Sequence, residues 1–342
     1  MDQVKEYYQQ WCDLPQPRKI RITKLFACAC YLLFLLLLVI YTCGRTGKKT
    51  WTIEPTILFT DGTPYNMEVI RYLTQRRDVI IGMVVLNNNI LAVEKLRSKV
   101  SNIEAILGAL KAEGYTKKVP VYASHTFSPD NFVAPLERLL ASQSVKFVVA
   151  GPCTEVAHFL TQYPTHLSNV AGIFVAGGAF NRAGNADYLF VNNTKAERNF
   201  FMDPMAADQV VAGLHKRPVM LFPIDVTVAW TETAFAAIVS NPSSSAGSVA
   251  AVAAGLEWYY KKVDSTRSTT VGLMAAAYAS DAQVRQSAVY TSIPVRVRTA
   301  ETNATNGQSY RPTAGTAVRV MLSVAVDTFF RHLLSVDRLP LA

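Results

Sequence analysis

Six short apolar runs, separated by longer helical patterns, constrain this chain more than any other feature. They read PTILFT at 55–60, VIIGMVVL at 79–86, VPVYA at 119–123, VKFVVA at 145–150, VAGIFVAGG at 170–178 and RPVMLFPIDV at 217–226. Helical patterns stand between them at 64–76, 92–113 and 131–143, and another helix starts at Thr154. A strand that is apolar on both faces must be covered on both, and alternation with helices supplies the cover. The expectation is a doubly wound α/β fold on a mostly parallel sheet. Beyond Thr231 the pattern turns helical through 231–239, 247–263 and 271–280, with a Ser-rich break at 243–248. It returns to β at 289–299 and 317–326 and closes with a helix at 327–334. No internal repeat or second independent domain is marked.

A different pattern precedes this domain. Residues 25–43 read LFACACYLLFLLLLVIYTC without a charge, and as a helix they would cover about 28 Å, close to the thickness of bilayer hydrocarbon. A cleaved signal peptide is the competing reading, but its apolar region usually runs about 7–15 residues and ends in small residues. The chain therefore divides into a tail at 1–24, a transmembrane helix at 25–43, a linker at 44–54 and an α/β domain at 55–342. Arg18, Lys19, Arg21 and Lys24 precede the span, whereas Arg45, Lys48 and Lys49 follow it. This asymmetry favours an N-terminus on the cytoplasmic or matrix side only weakly.

Charge and cysteine content exclude other classes. The formal charge is +9, but residues 1–51 hold eight Lys/Arg against Asp2, Glu6 and Asp13, which leaves +4 for the rest. That excess beside an apolar segment suits anionic headgroups rather than nucleic acid. Half of the residues are hydrophobic, so the chain can bury a sizeable core. Of Cys12, Cys28, Cys30, Cys43 and Cys153, only the last lies beyond the span, and the main domain folds without an internal disulfide. The five histidines show no metal-binding spacing.

Several segments, in order, resemble the inosine–uridine-preferring nucleoside hydrolase family. They are ILFTDGTPYN at 57–66, MVVLNNN at 83–89, VPVYAS at 119–124, VVAGPCTEVA at 148–157, IFVAGGAFNRAGN at 173–185, ERNFFMDPMAADQVV at 197–211 and PIDVT at 223–227. The resemblance implies cleavage of the N-glycosidic bond of nucleosides at a ribose site. There a Ca²⁺ binds the sugar diol and a water, and a carboxylate takes the proton of that water. A hard cation of this kind needs several oxygen ligands, with carboxylates supplying most of the charge.

The run of aspartates that the family places after its first strand reads here Phe59, Asp61, Tyr65 and Asn66, so a single carboxylate remains. Tyr65 stands at the position of the base, and a phenol with a pKa of about 10 is a poor base at neutral pH. Asn66 offers only a neutral amide in place of a metal-binding carboxylate. A late His-Asp pair is replaced by Val271 and Gly272. Asn87 and Asn185 match ribose-facing asparagines, Glu197 and Asn199 match the pair that grips the sugar hydroxyls, and Ala150 falls where a backbone carbonyl ligates the metal. The expected pocket is thus vestigial, made of Asp61, Tyr65, Asn66, Asn87, Asn185, Glu197, Asn199 and Gly272. It has no catalytic residue, and its calcium is lost.

Plainer roles stand beside these. Asp61 precedes a helix that begins near Pro64 and fits a role as its cap as well as one as a vestigial ligand, Asp203-Pro204 has the form of an N-cap and first turn, and Asp225 can satisfy nearby backbone donors. Glu197 and Asn199 read as solvated or structural once the metal is gone. Cys153 follows Gly151-Pro152 at a strand-to-helix junction, where helix N–H groups can lower a thiol pKa, although a lone cysteine there is more often a packing residue. The insertion at 187–196 reads as a loop over the pocket or a partner contact, and Asn192 and Asn303 begin glycosylation sequons.

Two functions follow. The first is a non-catalytic, membrane-anchored accessory subunit that contacts the bilayer through 25–43 and other protein subunits through its domain, with the mitochondrial inner membrane favoured over the secretory pathway. It binds no nucleic acid, no cofactor and no small molecule. The alternative is an active membrane-bound nucleoside N-ribohydrolase with a rebuilt site using Asp61, Glu197 and Asp187.

Overall fold

The computed structural model describes residues 15, 54–75, 81–86, 93–112, 118–124, 130–186, 192–213, 215–227, 270–299 and 304–329. The chain divides into two units, Met1–Thr52 and Ile53–Ala342. The expected transmembrane helix at 25–43 and the Ala-rich stretches 231–239 and 247–263 lie outside the described residues. Among those described, no helix is long and apolar enough to cross a membrane.

The apolar runs form the strands of one sheet. These are β1 (Thr56–Thr60), β2 (Ile81–Leu86), β3 (Val121–Ala123), β4 (Val145–Ala150), β5 (Val170–Ala176) and β6 (Val219–Phe222), joined late in the chain by β7 (Val289–Pro294) and β10 (Ala317–Ser323). Their spatial order is β3-β2-β1-β4-β5-β6-β10-β7. Every pairing is parallel up to β6–β10, and β7 closes the edge antiparallel to β10. The short strands β8 (Arg296–Val297) and β9 (Ser309–Tyr310) form a separate antiparallel ladder. The mostly parallel sheet with helices against both faces agrees with the expectation from sequence.

Alternation along the central strands fills two cores. Leu58, Val148 and Ala150 face one side, packed with Val69, Ile70 and Leu73 of α1 (Pro64–Gln75) and with Met274 and Ala275 of α7 (Val271–Ser280). Ile57, Phe59, Phe147 and Val149 face the other side. There they meet α3 (Val133–Ser142), α4 (Thr154–Gln162) and α6 (Pro204–Val211) through Leu136, Phe159 and Val210. Successive side chains of a strand point to opposite faces, so a strand buried on both sides must be apolar throughout. The β1 sequence TILFT is buried at all five positions. Helix α7 obeys the same rule, because a helix apolar all round must be enclosed, and Val271 through Ala279 are all buried. The remaining helices are α2 (Val93–Ala112), α5 (Arg198–Met202) and α8 (Ala282–Ser287).

The order of the strands decides where a site can form. From β1 the chain first builds outward through β2 to β3 and then returns to place β4 on the other side of β1. The connections therefore part at the carboxyl ends of β1 and β4, which is the topological switch point where parallel sheets leave a crevice. Asp61 follows β1 directly and Ala150 ends β4. Gly151 permits their approach, because a Cβ there would lie 2.8 Å from the Asp61 backbone nitrogen.

Candidate functional site

Asp61 is held in place from two directions. Its Oδ1 accepts the backbone N–H of Thr63 at 3.1 Å, the Thr63 hydroxyl at 2.8 Å and Nδ2 of Asn66 at 2.7 Å. The first two bonds make the turn that leads into α1, and they go to Thr63, the residue before the helix. Oδ2 accepts Nη1 of Arg198 at 2.5 Å. This ion pair is almost wholly enclosed, with the Arg198 and Asp61 side chains 9% and 4% exposed.

Asn66, in the first turn of α1, extends the contact to β4, because its Nδ2 also donates to the Ala150 carbonyl oxygen at 2.5 Å. Gly272, at the start of α7, lies against the same group. A Cβ there would stand 3.1 Å from Asn66 Oδ1 and 3.2 Å from the Ala150 Cβ, so the close packing of α7 on this corner uses the missing side chain.

The segment that carries Arg198 supplies the rest. Asn185 Oδ1 accepts the Arg198 backbone N–H at 2.7 Å, and Asn199 Nδ2 donates to the Ala176 carbonyl at the end of β5 at 3.0 Å. Glu197 is the N-cap of α5, where its carboxyl accepts the Phe200 N–H at 3.2 Å and is approached by the Gly178 N–H at 3.4 Å. Burial pushes the Glu197 carboxyl up to about 7, against the lowering effect of those backbone donors, and the nearby Asp61 charge adds to the rise. Glu197 and Asn199 are buried and bonded to backbone groups, so of the solvated and structural roles expected for them the solvated one does not apply.

Asp61, Asn66, Asn185, Glu197, Asn199 and Gly272 lie close together around this corner. Tyr65 lies in the first turn of α1, and Asn87 lies outside the described residues. Arg198 was not among the expected residues. Its signal in the sequence is a full charge between two pocket positions in a segment, ERNFFM, that continues into buried aromatic packing.

A second buried carboxyl stands next to this cluster. Glu155, in the first turn of α4, is pushed up to about 7 by burial, against its own backbone N–H and the Ser124 hydroxyl, while the Asp203 charge raises it further. Asp203 caps α6 by accepting the Ala206 N–H at 3.1 Å and ties down α4 through the Thr154 hydroxyl at 2.6 Å. Asp225 accepts the N–H groups of Phe180 and Asn181 at 2.9 and 2.6 Å, the backbone role expected of it. Cys153 is fully enclosed, and burial drives its thiol pKa upward with help from the Asp203, Glu197 and Glu155 charges. The helix terminus does not activate it, and it is a packing residue.

The donor set does not fit a divalent cation. The carboxylate at the switch point has both oxygens taken up, one by Arg198 and the other by Thr63 and Asn66. The Ala150 carbonyl receives an amide N–H, and Gly272 brings no ligand. Among the described residues, no group of three or more His, Cys, Asp or Glu side chains could hold a metal.

Comparison with known proteins gives this geometry its context. The family model for inosine-uridine preferring nucleoside hydrolase matches residues 86–331, more than half of the chain. The pyrimidine-specific ribonucleoside hydrolases RihA of Klebsiella pneumoniae and Shewanella woodyi are 34% and 36% identical to it over 113 residues, which are 32% of this chain. These matches span 33% of the length of either relative. Among solved structures, the inosine-uridine preferring nucleoside hydrolase of Bacillus anthracis superposes with a TM-score of 0.64 at 17% identity, covering 83% of this chain and 99% of that one. The plant nucleoside hydrolase PpNRh1 gives 0.66 at 17% identity, with 84% and 99% covered. An inosine-guanosine nucleoside hydrolase gives 0.64 at 18% identity over the same shares. Such likenesses show the fold. The expectation that the chain is not an enzyme is corrected here, because the family match and every relative and structural neighbour named are nucleoside hydrolases, and nothing positive marks a chain without activity.

Proposed function

The chain belongs to the inosine-uridine preferring nucleoside hydrolase family, and from that premise we propose that it hydrolyses the N-glycosidic bond of a ribonucleoside at the switch point of its sheet. The observation that carries this reading is the buried Glu197 carboxyl beside the Asp61–Arg198 pair, with the amides of Asn185 and Asn199 around them. In such a hydrolysis a water adds to the sugar carbon as the bond to the base breaks, and a proton leaves that water. A carboxyl that titrates near 7 is matched to that transfer at neutral pH. Fixed dipoles and a buried ion pair stabilise developing charge without reorganising, because water is excluded around them.

The test uses the full chain in detergent, incubated with a panel of purine and pyrimidine ribonucleosides. Chromatography then reads the free base. Release above the buffer blank for one class supports the reading, and its absence for every nucleoside overturns it.

The proposal extends to location. The uncharged stretch at 25–43 tethers the chain to a bilayer, with the mitochondrial inner membrane and a setting among other protein subunits as the expected environment. Alkaline carbonate extraction of membranes tests the tether. Retention in the pellet supports it, and release to the supernatant contradicts it.

A further inference from the structure

Arg198 reaches Asp61 across 137 positions of sequence and completes a closed set of bonds. Three donors on Oδ1 and a guanidinium on Oδ2 use both carboxylate oxygens. The Asn66 amide bridges that carboxylate to the Ala150 carbonyl, so it presents N–H groups to oxygens that would otherwise be available to a cation. Charge runs the same way. The carboxylate of Asp61 and the guanidinium of Arg198 sum to zero, Gly272 adds nothing, and the other carboxyl of the cluster, Glu197, is engaged by the N–H groups of Phe200 and Gly178. A divalent ion would have to displace a permanent cation and then share one carboxylate, although such ions need several oxygen ligands.

We propose that Arg198 is the resident cation of this site, and that it leaves no place there for a divalent metal. This inference rests on the reading of the cluster as the family's ribose site, but it does not require that any nucleoside be turned over. Arg198 acts through Asp61 and is a positioning residue. Its Nη1 holds Oδ2 of the carboxylate, and its charge balances that carboxylate in an enclosed place. The Asn185 carbonyl oxygen on its backbone N–H and the Asn199 amide beside it fix the segment from which it projects.

The test compares the wild-type full chain with Arg198→Met and with the double variant Asp61→Asn/Arg198→Met. Melting temperature is read in EDTA and across a calcium chloride titration, and calcium is also titrated calorimetrically into the chelated wild type. The wild type is expected to melt at the same temperature in EDTA and in millimolar calcium and to give no saturable heat. Arg198→Met is expected to lose roughly 5 °C or more by stranding a buried carboxylate. The double variant should recover at least half of that loss, since it removes the stranded charge. A saturable micromolar calcium response of the wild type overturns the inference, and so does a double variant that melts no higher than Arg198→Met. If Arg198→Met does not fold, the wild-type titration still decides. Neither readout involves turnover, so failure of the inference and failure of the nucleoside assay are separate results.

Discussion

Asn66 donates from Nδ2 to the carbonyl oxygen of Ala150 at 2.5 Å, joining the first turn of α1 to the last residue of β4 across 84 positions of sequence. The same nitrogen bonds Asp61, so one amide closes the switch point between two parallel strands. An aspartate at this position could not donate to either oxygen and would set a second negative charge against Asp61. Asn66→Asp is therefore expected to destabilise the domain by about 3 kcal/mol at neutral pH, with recovery as the medium is acidified. Urea unfolding at two pH values measures this, and an unchanged midpoint would contradict it.

Glu155 sets a pH dependence whose sign can be worked out. Its folded pKa of about 7 lies above its ordinary value of 4.5, so the native state holds a proton that the unfolded chain releases between those limits. Stability from this group is complete below about 4.5 and is lost as pH rises through about 7. Glu155→Gln keeps the shape without the charge, and it is expected to raise stability at pH 8 by on the order of 2 kcal/mol while changing little at pH 4.5. A thermal melt series across that range reads the difference.

Gly184 is set by space. A Cβ there would lie 2.1 Å from the Ala196 carbonyl oxygen, and the Gly184 N–H already donates to Thr194 at 2.7 Å. This pairing of 184–186 with 194–196 holds Asn185 over the Arg198 backbone. Gly184→Ala must move backbone, so a loss of roughly 3 kcal/mol is expected together with loss of nucleoside turnover beyond that of stability. Measuring both at a temperature where the variant is fully folded separates the two effects.

Asp203 serves two helices at once, as the N-cap of α6 and as acceptor for Thr154 at the start of α4. Asp203→Ala should cost about 1–2 kcal/mol, more than a surface cap alone, and Thr154→Val less than half of that. Equal losses for the two variants in chemical denaturation would contradict the shared role.

The fold was legible because parallel strands buried on both faces cannot hide. TILFT is apolar between its two threonines and VKFVVA is apolar except for Lys146, neither alternates along its length, and each became a central strand. Asp203-Pro204 was legible as a cap for a similar reason, because its chemistry is local. Arg198 was not legible as the partner of Asp61, since a contact across 137 positions leaves no trace in spacing. The sequence left Glu197 and Asn199 open between solvated and structural roles, because their burial depends on contacts with Gly178 and Ala176, again a non-local event. The expectation that the chain is not an enzyme is overturned by the family match and by relatives and neighbours that are nucleoside hydrolases. It rested on counting the carboxylates that a metal needs.

The central claim is that this family member cleaves nucleosides at a site organised by Arg198 rather than by a divalent ion. Ribose release from inosine and uridine by the wild-type full chain in excess EDTA, with Glu197→Gln alongside, tests it most directly. The expected result is release that calcium does not increase and that Glu197→Gln reduces at least about tenfold. Release that appears only when calcium is added back would contradict it.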